Sequence, residues 1–185
     1  MVKSKSIIST FFLVIMWLAS PSLAADVAKI GVVDIQKILL TSSAGKMAKA
    51  QINKKAREME SKLTERKDEI DTLKEALERE ALVMSKETRE EREREIRIKI
   101  NDIKSLKNKY EKNLKTIEGR VVKRIQADMG RIVQQMGKKE GYLLVITNQV
   151  VLYSPSSIDI TDQLIRAYNS ALAEKGGDFN VDTLE

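Results

Sequence analysis

The amino-acid sequence predicts an α+β protein, mostly α, in which a long antiparallel coiled-coil hairpin projects as an arm from a small β-containing body. Residues 46–118 contain neither Gly nor Pro, the residues that most often interrupt helices. In residues 54–115, 35 of 62 side chains are charged, 19 basic and 16 acidic, and the two signs are mixed. Mixed charges at helical spacing are typical of a solvated helix. A disordered segment is the alternative.

The composition excludes several kinds of chemistry. The chain has no Cys and no His, which excludes disulfides, thiol nucleophiles, imidazole bases and ordinary zinc sites. Metal or acid–base chemistry could rest only on carboxylates, and none of these lies in a segment that predicts a dry pocket. We therefore expect no enzyme activity, no catalytic residue, no metal and no cofactor. The formal net charge of +6 leaves nucleic acids and anionic membranes open as partners.

Residues 1–24 have the three parts of a secretory signal peptide. Lys3 and Lys5 precede a 13-residue apolar run, Ile7–Ala19, and small residues precede the expected cleavage after Ala24. A membrane anchor is the alternative, but 13 residues fall short of the roughly 20 that cross a bilayer core. We therefore expect a cleaved, exported chain, and the lack of Cys is compatible with the bacterial periplasm.

The body is expected to come from both ends of the mature chain, residues 25–45 and residues 139–185. Lys29–Asp34 is rich in β-branched residues and predicts a short buried strand. Asp34 is then placed to cap a short helix over Ile35–Leu40.

Two further strands and a final helix are expected after Gly141, a typical helix stop. The β-rich runs Tyr142–Thr147 and Val150–Tyr153 predict a hairpin joined at Asn148 and Gln149. The last helix should extend from about Thr161 to Glu174. Three strands and two short helices enclose little core on their own, so the body is expected to oligomerise.

The arm, residues 46–138, carries two apolar seams in which steps of three and four residues alternate, as in a coiled coil. Facing residues of an antiparallel pair have numbers with a constant sum, and sums of 169 or 170 align the whole arm, for example Leu73 opposite Ile96. The turn is therefore expected within residues 82–88, with Ser85 as N-cap of the returning helix. The seams are interrupted only by Arg66 and Lys107. Their apolar members include Ile52, Ala56, Met59, Leu63, Ile70, Leu73, Leu77, Ile96, Ile100, Ile103, Tyr110, Leu114 and Ile117.

In this order, the pieces resemble the Skp/OmpH family of periplasmic chaperones. The resemblance rests on the signal peptide, on Lys29–Leu39, on Val122–Gln126, on Leu143–Tyr153 and on the helix after Asp159, and it covers essentially the whole mature chain. It implies a jellyfish-like homotrimer with intersubunit β-structure in the body and three arms around a cavity. It also implies a function: an ATP-independent holdase that keeps unfolded outer membrane proteins from aggregating before outer-membrane assembly.

Two sets of apolar residues are candidates for these roles. A holdase needs dispersed, adaptable apolar contacts, and residues off the seams could supply them, although incidental exposure or arm packing is the alternative for each. The candidates for client binding are Met47, Val83, Met84, Ile98 and Leu106. The candidates for oligomerisation and the core are Ile30, Val32, Val33, Val145, Ile146, Val151 and Leu152.

Other functions are weaker. Nucleic-acid binding lacks a one-sided basic stripe and interleaved aromatic residues, so no nucleic acid is expected as a partner. Prefoldin-like chaperones place their strands between the helices, whereas here the strands flank the arm. An exported coiled-coil adaptor or structural protein with one defined partner is the alternative function. Anionic lipid surfaces stay open as a further partner.

Overall fold

The computed structural model describes residues 28–184, and it confirms the mostly helical α+β fold with a projecting hairpin. The predicted signal peptide and its cleavage site lie outside the described residues. The elements follow in the order β1 (Lys29–Val33), α1 (Ile35–Thr41), α2 (Ser43–Glu80), α3 (Lys86–Glu140), β2 (Tyr142–Thr147) and α4 (Thr161–Glu174). Single 3-10 turns occur at Asn148–Val150, Ser156–Ile158 and Val181–Thr183.

The arm consists of α2 and the first part of α3, joined by a short turn at Ala81–Ser85. Ser85 is the N-cap of α3, as predicted, and its side-chain oxygen accepts a hydrogen bond from the Thr88 N–H at 3.2 Å. Capping supplies an acceptor for a first-turn N–H that has no partner inside the helix. The 38 residues of α2 give the arm a length of roughly 55 Å at 1.5 Å per residue.

A contact between the two arm helices lies within one residue of the predicted register. An ion pair joins Lys99 Nζ of α3 to Glu69 Oε1 of α2 at 2.7 Å, and these residue numbers add to 168. Nearby, Ile70 and Ile96 are the most buried seam residues of the outer arm. The two polar seam positions, Arg66 and Lys107, are exposed, because a charged side chain turns to water rather than enter an apolar contact.

The body is organised by a parallel pair of strands. β1 and β2 pair with Gly31 beside Val145 and Val32 beside Ile146. Parallel strands need a long crossover connection, and here the crossover consists of α1 and the entire arm. The sheet therefore holds the beginning and the end of the arm together.

A hydrophobic core lies between this sheet, the base of the arm and α4. Its buried members come from β1, α1, the start of α2, the end of α3, α4 and the segment after α4, and β2 contributes the half-buried Tyr142 and Val145. The range of α4 agrees with the predicted Thr161–Glu174. The buried residues of this core are Val33, Ile38, Ala44, Ala48, Val121, Ile125, Met129, Ile132, Met136, Ile160, Leu164, Tyr168, Phe179, Val181 and Leu184. Packing here fixes where the arm leaves the body.

The predicted hairpin over Tyr142–Thr147 and Val150–Tyr153 is wrong. Only its first run is a strand, and Val150–Tyr153 is not. A two-residue hairpin turn needs positive φ angles, but Asn148 and Gln149 keep negative ones and enter a 3-10 turn. In the described chain β2 pairs with β1 alone, and the other edge of β1 is met by the backbone of Ile160, whose N–H donates to Val32 O at 3.0 Å.

The first turn of α4 is stabilised by Asp159, which precedes its N-terminal residues. Asp159 Oδ1 accepts a hydrogen bond from the Thr161 N–H at 2.8 Å. Hydrogen bonds from the hydroxyl and the N–H of Thr161 hold the pKa of Asp159 below its ordinary value of 3.8. A lowered pKa in the folded state contributes stability above the ordinary value, and this contribution is lost as the pH falls through the folded value.

We predict that Asp159→Ala lowers the free energy of unfolding by about 1 kcal/mol at neutral pH, the usual cost of losing a capping acceptor. The difference from the parent chain should shrink as the pH falls below about 3.8, because the unfolded parent chain then takes up a proton at Asp159 that the folded chain binds more weakly. Urea unfolding at pH 7 and pH 3 measures both effects. Asp178→Ala removes an exposed carboxylate and is the control. An equal loss at both pH values would contradict the capping role.

The arm register predicts which cysteine pair is linked efficiently in a chain that has no Cys of its own. Glu69→Cys with Lys99→Cys should react rapidly with a short bismaleimide to give an internal cross-link, since the native side chains touch. The control is Glu69→Cys with Lys109→Cys, which moves the second thiol roughly 15 Å along the helix. Mass spectrometry of the monomer identifies the product, and faster linking of the control pair would refute the register.

Candidate binding surfaces

The tip of the arm exposes two adjacent apolar side chains. Leu82 is 98% exposed and Val83 is 87% exposed, whereas Met84 beside them is half-buried. Val83 and Met84 were predicted as contact residues from the sequence, and Leu82 was missed although it belongs to the same apolar run. Because neither Leu82 nor Val83 packs into the arm, both are available to another molecule.

The other three candidate contact residues lie in different surroundings. Ile98 is 53% exposed on α3, so it too offers an apolar surface. Leu106 lines a groove between the arm helices, and Met47 packs against the core at the base of the arm. The structure therefore does not gather the five candidates into one site, but distributes them from the base of the arm to its tip.

A groove between the two arm helices lies beside Leu106. It has a volume of about 240 Å³, with Ile70, Ile103 and Leu106 forming its apolar part. Arg66, one of the two polar seam residues, also lines this groove and lies 3.9 Å from Glu69. Charged side chains surround this apolar part.

The charged rim of the groove is ordered by one strong contact. The hydrogen bond from Lys99, together with its positive charge, lowers the pKa of Glu69. A carboxylate held by an ammonium group in this way stays ionised. The groove therefore offers a small apolar opening beside a fixed pair of opposite charges.

Charge is also distributed unequally along the length of the arm. Counting charges in sequence order does not reveal this, because the two arm helices run in opposite directions. We call residues 68–101 the tip half, and residues 43–67 with residues 102–124 the base half. The tip half has 11 acidic and 8 basic residues, a formal charge of −3. The base half has 6 acidic and 16 basic residues, a formal charge of +10. Once the chain folds back on itself, the signs that seemed mixed are separated along the arm.

The seven residues predicted for oligomerisation and the core fall into three groups. Val32 and Val33 are buried, and Val145, Ile146 and Val151 are half-buried. Ile30 and Leu152 are exposed, at 39% for Ile30 and fully for Leu152. The first two groups thus contribute to the fold of the single chain, and only the last is available to a partner.

More exposed apolar residues adjoin this last group than the sequence indicated. They lie on β2 and on the segment that follows it, and Ile30 pairs with Leu144 across the sheet. We call this set the apolar body surface: Ile30, Leu143, Leu144, Val150, Leu152 and Tyr153. Exposed large apolar side chains concentrated in one part of a soluble protein often mark an interaction site. The sequence indicated these residues only as part of the predicted hairpin, and the second run of that hairpin is not a strand in the single chain.

A polar cluster between α3 and α4 is structural. The Tyr168 hydroxyl donates to Asp128 Oδ2 at 3.3 Å, and Arg124 and Arg131 pair with the same carboxylate. Burial, followed by the charge of Asp128, raises the pKa of the Tyr168 hydroxyl. A neutral tyrosine whose partner carboxylate is already paired is suited to packing rather than to proton transfer.

Residues 28–184 contain no group of acidic side chains arranged to hold a metal ion. The helices in this part of the chain lack an apolar stretch that could span a membrane.

Comparison with known proteins gives two findings. The family model described as "Outer membrane protein (OmpH-like)" matches residues 29–168. Among solved structures, an OmpH-like protein from Caulobacter crescentus CB15, described as a candidate outer membrane chaperone, is similar with a TM-score of 0.74 and 16% sequence identity. The alignment covers 78% of this chain and 86% of that chain. No curated protein matches the sequence.

Proposed function

The chain belongs to the OmpH-like family, and from this premise we propose that it is an ATP-independent holdase chaperone of the periplasm. It binds unfolded outer membrane proteins in a cavity between helical arms and prevents their aggregation before they are assembled into the outer membrane. The observation that carries the proposal is that exposed apolar residues are distributed along a long, charged arm. Ile98 lies on α3, and Leu82 and Val83 lie at the tip.

A dispersed set of weak contacts suits an unfolded client better than one pocket does. An unfolded chain has no fixed shape, so its affinity must come from many small contacts made at once. Binding to the unfolded state also lowers its free concentration, which suppresses aggregation without any energy source. We accordingly propose no catalytic activity and no cofactor.

The charge separation along the arm supports the same role. The base half, at +10, attracts acidic segments of a client toward the body, where the arms converge. The tip half, at −3, does not compete for those segments. Anionic lipid is a further partner, which the positively charged base half could approach. The apolar tip residues, in contrast, lie in the half of the arm that has a net negative charge.

The oligomer in this proposal is a homotrimer assembled through the apolar body surface. Its members lie on β2 and after it, and in the described chain β2 has a strand partner on one side only. An exposed strand edge next to apolar side chains is a template for pairing with another chain. A second copy of the body that covers this surface would bury Leu152 and Tyr153, which the single chain leaves exposed.

The test of holdase activity is suppression of aggregation of several unrelated unfolded β-barrel proteins diluted from urea. Replacing both Val83 and Ile98 by Ser should weaken client binding by roughly tenfold, because two exposed apolar contacts are lost on every arm. Light scattering follows aggregation, and fluorescence anisotropy of a labelled client gives the affinity.

The matched control is Leu40→Ser, which removes an exposed apolar side chain from α1 and leaves the arm unchanged. It should hold clients as well as the parent chain. Undiminished holding by the Val83 and Ile98 variant would rule out these residues as the contact surface. Activity toward a single native partner, with none toward unfolded β-barrel proteins, would favour the coiled-coil adaptor instead.

The oligomer is tested by substituting the apolar body surface. Ile30→Asp with Leu152→Asp should convert the trimer to monomers, since a buried unpaired charge costs several kcal/mol in an interface. Leu40→Asp introduces the same charge on an exposed apolar position elsewhere and should leave the mass unchanged. Multi-angle light scattering gives the mass, and a parent chain that is monomeric would exclude the proposed assembly.

A further inference from the structure

The C-terminal segment Gly176–Leu184, which we call the tail, lies across the base of the arm. It follows α4 and lies beyond residues 29–168, the part matched by the family model, so membership of the family says nothing about it. The tail belongs to the predicted body, residues 139–185, but the sequence predicts no helix or strand in it, because it contains neither a helical nor a β-rich pattern. Three of its side chains are nevertheless buried: Phe179 is 5% exposed, Val181 4% and Leu184 8%.

Two glycines direct the tail back toward the arm. The Gly177 N–H donates to Leu172 O at 2.9 Å and the Gly176 N–H to Ala173 O at 3.1 Å, which is the Schellman arrangement at a helix C-terminus. Gly176 and Gly177 have φ angles of 98° and 71°, which other residues adopt only with strain. The reversal is therefore specified by the sequence at this point.

The tail backbone is recognised by one side chain of α2. Gln51 Nε2 donates to Phe179 O at 2.6 Å, and the Val181 N–H donates to Gln51 Oε1 at 2.9 Å. The amide thus satisfies one backbone acceptor and one backbone donor of an extended segment, as a neighbouring strand would. Gln51 thus recognises the tail through its backbone, and the two hydrogen bonds do not depend on the side chain that lies between them.

Two charged contacts flank the Gln51 amide, one on each arm helix. Lys55 Nζ of α2 pairs with Asp182 Oδ1 at 2.6 Å. Arg120 of α3 donates to Leu184 O at 2.9 Å. Phe179 in turn lies beside Tyr168 and Leu172 of α4 in the lining of one cavity. The tail therefore bridges both arm helices and the last helix of the body.

We propose that the base of the arm contains a peptide-binding site whose ligand is the chain's own tail, and that the docked tail fixes the arm relative to the body. Undocking opens an apolar groove centred on Gln51 and loosens the base of the arm. The ordering of nine residues opposes docking, and the buried side chains and the contacts with Gln51, Lys55 and Arg120 favour it. The proposal does not depend on the holdase function, because it concerns the protein without a client.

Docking of the tail can be followed with a single tryptophan. Trp17 is the sole Trp of the chain, so Trp17→Phe with Phe179→Trp places the only one in the tail. Its emission should be that of a buried indole. Adding Gln51→Ala should move the emission to longer wavelength, because both backbone contacts are lost. Asn53→Ala, an exposed amide on the same helix, should leave the emission unchanged, and an unchanged spectrum in the Gln51 variant would overturn the docking role.

The effect on the arm is measured by hydrogen exchange. A chain truncated after Gly176 should exchange roughly tenfold faster at residues 46–58 and 113–122, as expected for the loss of a few hydrogen bonds and ion pairs. The arm tip should be unchanged. A peptide of residues 177–184 added in trans should restore protection. Unchanged exchange at the arm base would refute the proposal, and full-length Gln51→Ala gives the same test if the truncated chain does not fold.

Discussion

The fold depends on the parallel pairing of β1 with β2. Because these strands belong to opposite ends of the arm, their pairing brings the start of α2 and the end of α3 together and forces the chain between them to travel out and back. In the folded protein the antiparallel hairpin satisfies this closure, and its seam fixes the register. Gly31 shows how close the body packs: a Cβ added there would lie 2.7 Å from Ile160 Cδ1. A larger residue at this position would require the side chain of Ile160 to move.

Most of the fold could be predicted because it depends on local periodicity. The heptad steps from Ile52 to Leu77 and from Ile96 onward specify two helices, and the constancy of their paired numbers specifies the antiparallel register. Asp34, Ser85 and Gly141 act through contacts within three or four residues, so their capping roles are visible in the sequence and agree with the structure.

The parts that escaped prediction depend on distant residues. Val150–Tyr153 does not pair with β2, because the backbone angles at Asn148 and Gln149 are not those of a hairpin turn. Leu106 was recognised as an apolar residue off the seam, but its place in a groove depends on Arg66 and Ile70 of the other helix, which line the same groove. The tail is held by Gln51, more than 120 residues before it. The charge separation along the arm is visible only when the register of the two helices is known, because the register determines which residues lie at the same distance from the body.

The capped turn at Ala81–Ser85 also has a consequence for the order of folding. Contacts next to a turn join residues that are close in sequence, so they form with little loss of chain entropy. The β1–β2 contact closes a loop of more than 100 residues and costs more to form. The two arm helices can therefore pair progressively from the tip toward the base before β1 and β2 pair in the body. During that interval the apolar strands of the body are unpaired, and this is the stage at which the chain itself is most prone to aggregate.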